Sequence, residues 1–77
     1  MSKAEQILAA LGGDDNVVDL EPCITRLRVE VADPGRVDEA ALRAAGVIAV
    51  VRSGIAVQVV VGPEADTLAS DIEDLRR

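Results

Sequence analysis

The sequence predicts an α+β fold: a four-stranded antiparallel sheet with three helices on one face and the other face open. Three observations predict it. The elements read in the order helix, strand, strand, helix, strand, strand, helix. The strands fall into two close pairs, each separated by a short turn, which is the signature of hairpins. Each helical stretch carries one narrow stripe of Ala, Val, Leu and Ile, so all three need an apolar surface to cover, and one sheet face supplies it.

The first helix begins at Ser2-Lys3-Ala4-Glu5, a capping-box pattern, and Ala4, Ile7, Leu8 and Leu11 then share a face. Gly12-Gly13 stops it. Asp14-Asp15-Asn16 reads as a polar turn. Beyond it Val18 and Leu20 alternate with Asp19 and Glu21 as in a half-buried strand, which Pro22 is expected to end. From Thr25 to Val31 the alternation is clean: Leu27, Val29 and Val31 point one way, Arg26, Arg28 and Glu30 the other. Both arginines therefore share the face opposite the core. Cys23 precedes the regular part of that strand and is expected to be free of its parity, able to turn toward the arginines.

Asp33-Pro34-Gly35 is a turn, and Asp38 caps a second helix with Val37 and Leu42 at the staple positions and Gly46 after its end. Ala41, Leu42 and Ala45 give it a small apolar face. Val47 to Arg52 and Ile55 to Val61 read as the second hairpin, with Ser53-Gly54 as its two-residue loop. Val57, Val59 and Val61 then face the core, which leaves Gln58 as a polar residue in an apolar run on the open side. Gly62-Pro63-Glu64 opens the last helix. Its stripe is Ala65, Leu68, Ala69, Ile72 and Leu75, and Arg76-Arg77 suit its negative end.

At 77 residues the chain is a single domain over 1–77, near the lower size at which one core suffices without staples. Its hydrophobic content of 49% includes no aromatic residue, so modest stability is expected. A formal net charge of -6 and the lack of aromatic side chains argue against nucleic acid, which needs a neutralising field and stacking platforms. With no histidine, the commonest general base and metal ligand are both missing. No cofactor and no metal are expected. No apolar run approaches the roughly 20 residues of a membrane span, and no basic-then-apolar signal opens the chain. A soluble, cytoplasmic protein is expected, where a lone cysteine stays reduced.

The chemistry concentrates in Glu21-Pro22-Cys23-Ile24-Thr25-Arg26-Leu27-Arg28. Cys23 is the only cysteine, so it has no partner for an internal disulfide. Taken alone, an unpaired cysteine is more often a small buried hydrophobe than a nucleophile. Its place in a polar turn before two arginines reverses that, since guanidinium groups favour a thiolate and the thiolate is the nucleophilic form. Thr25 and the turn amides add donors for an anion carried on sulfur. A Cys-x5-Arg phosphatase would need arginine where Val29 stands, and a Cys-x-x-Cys redox motif would need cysteine where Arg26 stands. The acidic residues Asp71, Glu73 and Asp74 read as the wet face of a helix.

These residues resemble the IIB domain of the glucose superfamily of bacterial phosphoenolpyruvate-dependent sugar phosphotransferase systems. The resemblance rests on Cys-Ile-Thr-Arg-Leu-Arg at 23–28, the preceding Asp19-Leu20 strand end, Val31-Ala32-Asp33, the Val37-Asp38 helix start, and the Gly-containing hairpin before Val57-Gln58. It implies a phosphotransferase in which Cys23 takes a phosphoryl group from a phosphohistidine on a IIA partner. The group then passes to a sugar, glucose or N-acetylglucosamine, held by the membrane-embedded IIC partner. It assigns Arg26 and Arg28 chiefly to delivery toward sugar, and places Asp19, Ile24, Thr25 and Gln58 around the phosphate. It further implies a monomer held at the inner face of the cell membrane through IIC; a start at Met1 without a membrane span suggests a separate IIB polypeptide, with an excised module as the alternative. The one departure is Glu21-Pro22, where proline lacks an amide donor and so is not a phosphate ligand. The rival reading is a non-catalytic regulatory or interaction domain of the same architecture, with a structural cysteine.

Overall fold

The computed structural model describes residues 1–76. Helix α1 (Lys3–Ala10) is followed by strands β1 (Val17–Cys23) and β2 (Arg26–Val31), helix α2 (Glu39–Ala44), strands β3 (Ala49–Ser53) and β4 (Ala56–Val60), and helix α3 (Ala65–Leu75). All pairings are antiparallel and the strands lie in the order β1-β2-β4-β3, so each hairpin contributes one central and one edge strand. The alternation in β2 and β4 turns Leu27, Val29, Val31, Val57 and Val59 onto one face, where they are buried. Ile7 and Leu11, Leu42, and Leu68 and Ile72 from the three helical segments join them in a single apolar cluster. The opposite face carries Arg26, Arg28, Glu30 and Gln58 and has no covering layer among the described residues.

Local sequence signals set the helix boundaries. The Ser2 hydroxyl accepts from the Glu5 amide while the Glu5 carboxylate accepts from the Ser2 amide, closing the capping box. The backbone bond, and secondarily the hydroxyl, hold the Glu5 carboxyl below its usual range. A depressed carboxyl pKa means that this part of the cap is complete at neutral pH and fades as pH falls through the lowered value. Asp38 caps α2 through the Ala41 amide, with Val37 and Leu42 both buried as a staple. Leu8 is half-buried against the core, Ala10 is buried, and Leu75 at the far end of α3 is exposed.

Three expectations about the strands are corrected. Val18 is 59% exposed because the β1–β2 register shifts between Val17 and Asp19: the bulge inserts one residue, and Val17 takes the core position instead. Pro22 does not end β1 but pairs with Leu27 inside it, which an edge strand permits because one side of its backbone has no ladder to supply. The second hairpin closes on Ser53 and Ala56, so its loop is Gly54-Ile55 and not Ser53-Gly54; Gly54 takes φ +59 there. Val47 and Ile48 precede β3, and Ile55 and Val61 flank β4.

Asp14–Asn16 forms the expected polar turn, a 3-10 turn, and within it Asn16 is fully buried. Its side-chain amide donates to the Leu11 carbonyl at 2.7 Å and the Asp33 carbonyl at 3.1 Å, and its oxygen accepts from the Asp33 amide at 2.9 Å. It thus ties the end of α1 to the segment leaving β2. The close approach explains Gly12, at φ +105, where a Cβ would meet the Asn16 amide nitrogen at 2.6 Å. Arg76 closes the other end, reaching Asp14 at 2.8 Å and the Val17 carbonyl at 2.9 Å, which is more than the expected complement to a helix dipole. Arg77 lies outside the described residues.

Asn16→Ala leaves the Leu11 carbonyl and the Asp33 amide short of a partner. We expect it to lower the unfolding free energy by about 3 kcal/mol in urea titration, within the usual cost of orphaning buried backbone groups. A loss below about 1 kcal/mol would mean that water replaces the amide without penalty.

Candidate functional site

The site is built by the first hairpin. Cys23 and Arg26 are Cα partners across a two-residue loop, Ile24-Thr25, and residues directly opposite in an antiparallel pair project on the same side of the sheet. Cys23 therefore reaches the arginine face by following strand parity, contrary to the expectation that it escapes it. The next outward-facing pair is Glu21 with Arg28, and the one beyond is Asp19 with Glu30. On the other side of β2, Arg26 is opposite Val60 and Arg28 opposite Gln58. Strand pairing alone thus gathers a thiol, two guanidinium groups and a carboxamide on a patch of open sheet.

Cys23 is free and half-buried, at the wall of a shallow depression that Ile24, Thr25, Arg26, Arg28 and Gln58 also line. Arg26 donates from Nη1 to Gln58 Oε1 at 2.6 Å, a diagonal contact between neighbouring strands. Gln58 is thereby engaged, and its position in an apolar strand has a local reason: it fixes one arginine without cancelling its charge. Arg28 is more exposed, and its one charged partner among the described residues is Glu21, at 4.0 Å. Asp19 stands apart. It lies four residues before Cys23, roughly 13 Å along an extended strand, and lines a neighbouring depression with Glu21, Arg28 and Gln58. The structure thus brings together every candidate residue except Asp19.

The loop itself is strained. Ile24 takes φ +57, the single positive φ at a non-glycine residue among those described, and a β-branched side chain there is a genuine outlier. The equivalent first loop position of the second hairpin is Gly54, which has no such penalty. The Ile24 side chain recovers little by packing, since it is 86% exposed. What holds the loop is the Thr25 carbonyl, which accepts from both the Val61 and Gly62 amides at 2.9 Å. The strain was not legible in the sequence, because nothing local marks Ile24 for a left-handed conformation.

Chemically, the patch suits an anion carried on sulfur. A group bearing about two negative charges would meet one guanidinium held in place, a second on a loose tether, and solvent on the remaining side for a reaction partner. Among the described residues no cluster of three or more Cys, Asp or Glu is placed to hold a metal ion, and no helix is long and apolar enough to cross a membrane.

Comparison with known proteins gives a consistent answer. Residues 5–38, which include Cys23 and both arginines, match the family described as phosphotransferase system, EIIB. The chain is 60% identical over 74 residues to an N-acetylglucosamine-specific EIIB component of Streptomyces coelicolor, covering 96% of each. It is also 44% identical over 66 residues to a glucose-specific EIICBA component of Staphylococcus saprophyticus, and 45% over 75 residues to one of Streptococcus pneumoniae. The chain spans 10% of the length of each of these two proteins. A solved domain of a phosphotransferase-system IIabc component from Clostridium difficile superposes with a TM-score of 0.73 at 23% identity, covering 95% of this chain and 81% of that one, a likeness of fold.

Because Ile24 is exposed and strained, Ile24→Gly should leave stability unchanged or raise it by up to about 1 kcal/mol: relief of the left-handed penalty outweighs the extra chain entropy of glycine. Thermal unfolding of the two proteins decides this. A clear drop in the midpoint would show that the isoleucine packs in a way its exposure conceals.

Proposed function

This chain belongs to the EIIB family of the phosphotransferase system, and from that premise we propose that Cys23 is its phosphoryl-carrying nucleophile. In the first half-reaction the sulfur attacks the phosphorus of a phosphohistidine on a IIA partner. The P–N bond breaks with its electron pair returning to the imidazole, the S–P bond forms, and the thiol proton ends on the departing imidazole. In the second, a hydroxyl oxygen of a sugar held by a IIC partner attacks the same phosphorus. The S–P bond breaks, the thiolate leaves, and the hydroxyl proton passes to a base on the sugar-binding side. The absence of histidine from this chain is no obstacle, because phosphoryl transfer asks mainly for positioning and charge stabilisation, and the proton chemistry belongs to the partners.

The observation that carries the reading is the convergence of Cys23, Arg26, Arg28 and Gln58 on one open depression. Each has a role. Arg26, fixed by Gln58, is the standing cation against which the transferring phosphoryl group is aligned; Arg28 adds a second, movable charge; the Ile24-Thr25 loop closes the rim. Asp19 is too remote for direct phosphate contact and acts at most through its neighbours. Exposed Ile24, next to the sulfur, and half-buried Val60, on the far side of Arg26, offer apolar surface for both partners in turn, in the weak interfaces expected of transient encounters. IIA and IIC partners are supported by the EIICBA relatives, whose names join all three components. N-acetylglucosamine is the sugar favoured by the relative matched over nearly its whole length.

Mass spectrometry after incubation with a phosphorylated IIA protein tests the assignment. A phosphate adduct on Cys23 is expected in wild type, and Cys23→Ser should lose it while unfolding at an unchanged temperature, since the sulfur is outside the core. No adduct, under conditions that phosphorylate another EIIB domain, would favour an interaction module. Arg26→Lys separates the half-reactions: lysine supplies charge but not the planar fork, so most acceptance from IIA should survive while sugar phosphorylation falls by at least about tenfold, roughly one lost charge-assisted hydrogen bond. Equal losses in the two assays would rule out that division.

A further inference from the structure

We propose that Glu21 sets how tightly Cys23 holds its phosphoryl group, by competing with it for Arg28; this rests on the phosphocysteine reading above. The two arginines of the site are not equivalent. Arg26 is held by a neutral carboxamide, so its charge is undiminished. Arg28 is held by a carboxylate, at the long distance of 4.0 Å, with both side chains more than half exposed. Arg28 also lines both depressions on the open face, the one containing Cys23 and the one containing Glu21. It stands between two anions, one permanent and one that arrives with the phosphoryl group.

Register makes the competition direct. Glu21 and Cys23 are two residues apart on β1 and project from the same face, each opposite an arginine. A dianion on Cys23 therefore meets Glu21 as a neighbour of like charge. Arg28 can leave a weak, solvated carboxylate for a stronger phosphate pairing. The gain is reduced by the contact given up, and reduced again by repulsion from the carboxylate left behind. A carrier that must release its cargo needs such a counterweight, since two unopposed guanidinium groups would favour acceptance at the expense of delivery.

The test is the phosphoryl-transfer equilibrium between a phosphorylated IIA protein and this chain, read by intact-protein mass spectrometry. Glu21→Gln should shift it toward phosphocysteine by roughly 1.5- to 5-fold, the range of exposed ion pairs. Raising the salt to about 1 M should remove most of that difference, because the Debye length falls to about 3 Å. In an Arg28→Gln background the shift should shrink to what direct repulsion leaves. A Glu21→Gln equilibrium equal to wild type, or moved toward IIA, would overturn the proposal, as would a shift of the same size with and without Arg28. Failure of the wild type to accept any phosphoryl group is a separate outcome: it would sink the phosphocysteine reading itself.

Discussion

The site depends on one pairing, Cys23 opposite Arg26 across a two-residue loop. Side-chain direction in a strand alternates with period two, so a slip of one residue in the first hairpin would send Cys23, Arg26 and Arg28 into the core and expel Leu27 and Val29. The burial of those aliphatic residues is therefore what keeps the thiol and the guanidinium groups facing solvent. No separate device is needed to orient the thiol. The bulge at Val18 serves the same register, absorbing one residue so that Val17 and Leu20 both reach the core while Glu21 and Cys23 stay outside.

Register is defended by contacts far from the sulfur. Asn16, with no exposed surface, binds both the end of α1 and the chain beyond β2, so the start of β1 has one place to sit. Arg76 fastens the same region from the C-terminal helix. At the loop, the Thr25 carbonyl receives two amides from the chain leaving β4, which couples the first hairpin to the second. A core made of small aliphatic side chains buries limited area per residue, and these polar ties supply specificity that packing of Val, Ala and Leu alone would leave loose.

Charge is distributed against the average. The chain as a whole carries a formal -6, yet two of its three strand cations sit beside its one thiol. The third, Arg52, lies on the helix side and reaches Glu39 and the Pro34 carbonyl. Two guanidinium groups grouped on one part of an acidic protein give a local cationic field without making the surface generally adhesive to polyanions. Within the patch the two arginines are tied differently, one to a carboxamide and one to a carboxylate, which gives the site a fixed charge and a movable one.

Much of this was readable from the residues alone, because the signals are local. Period-two alternation from Arg26 to Val31 assigned the arginines to the open face, and Ser2 and Asp38 announced their helices by side-chain chemistry that acts within three residues. The grouping of Cys23 with Arg26 and Arg28 was visible as a string of neighbours. Tertiary structure decided what depends on partners distant in the chain: that Asn16 is buried, that Pro22 continues an edge strand, that Gln58 holds Arg26, that Arg28 faces Glu21, and that Asp19 lines a depression next to the one holding Cys23. Local propensity acts over a few residues, whereas register and hydrogen-bond partnership are chosen by whichever arrangement of the whole sheet buries the aliphatic face.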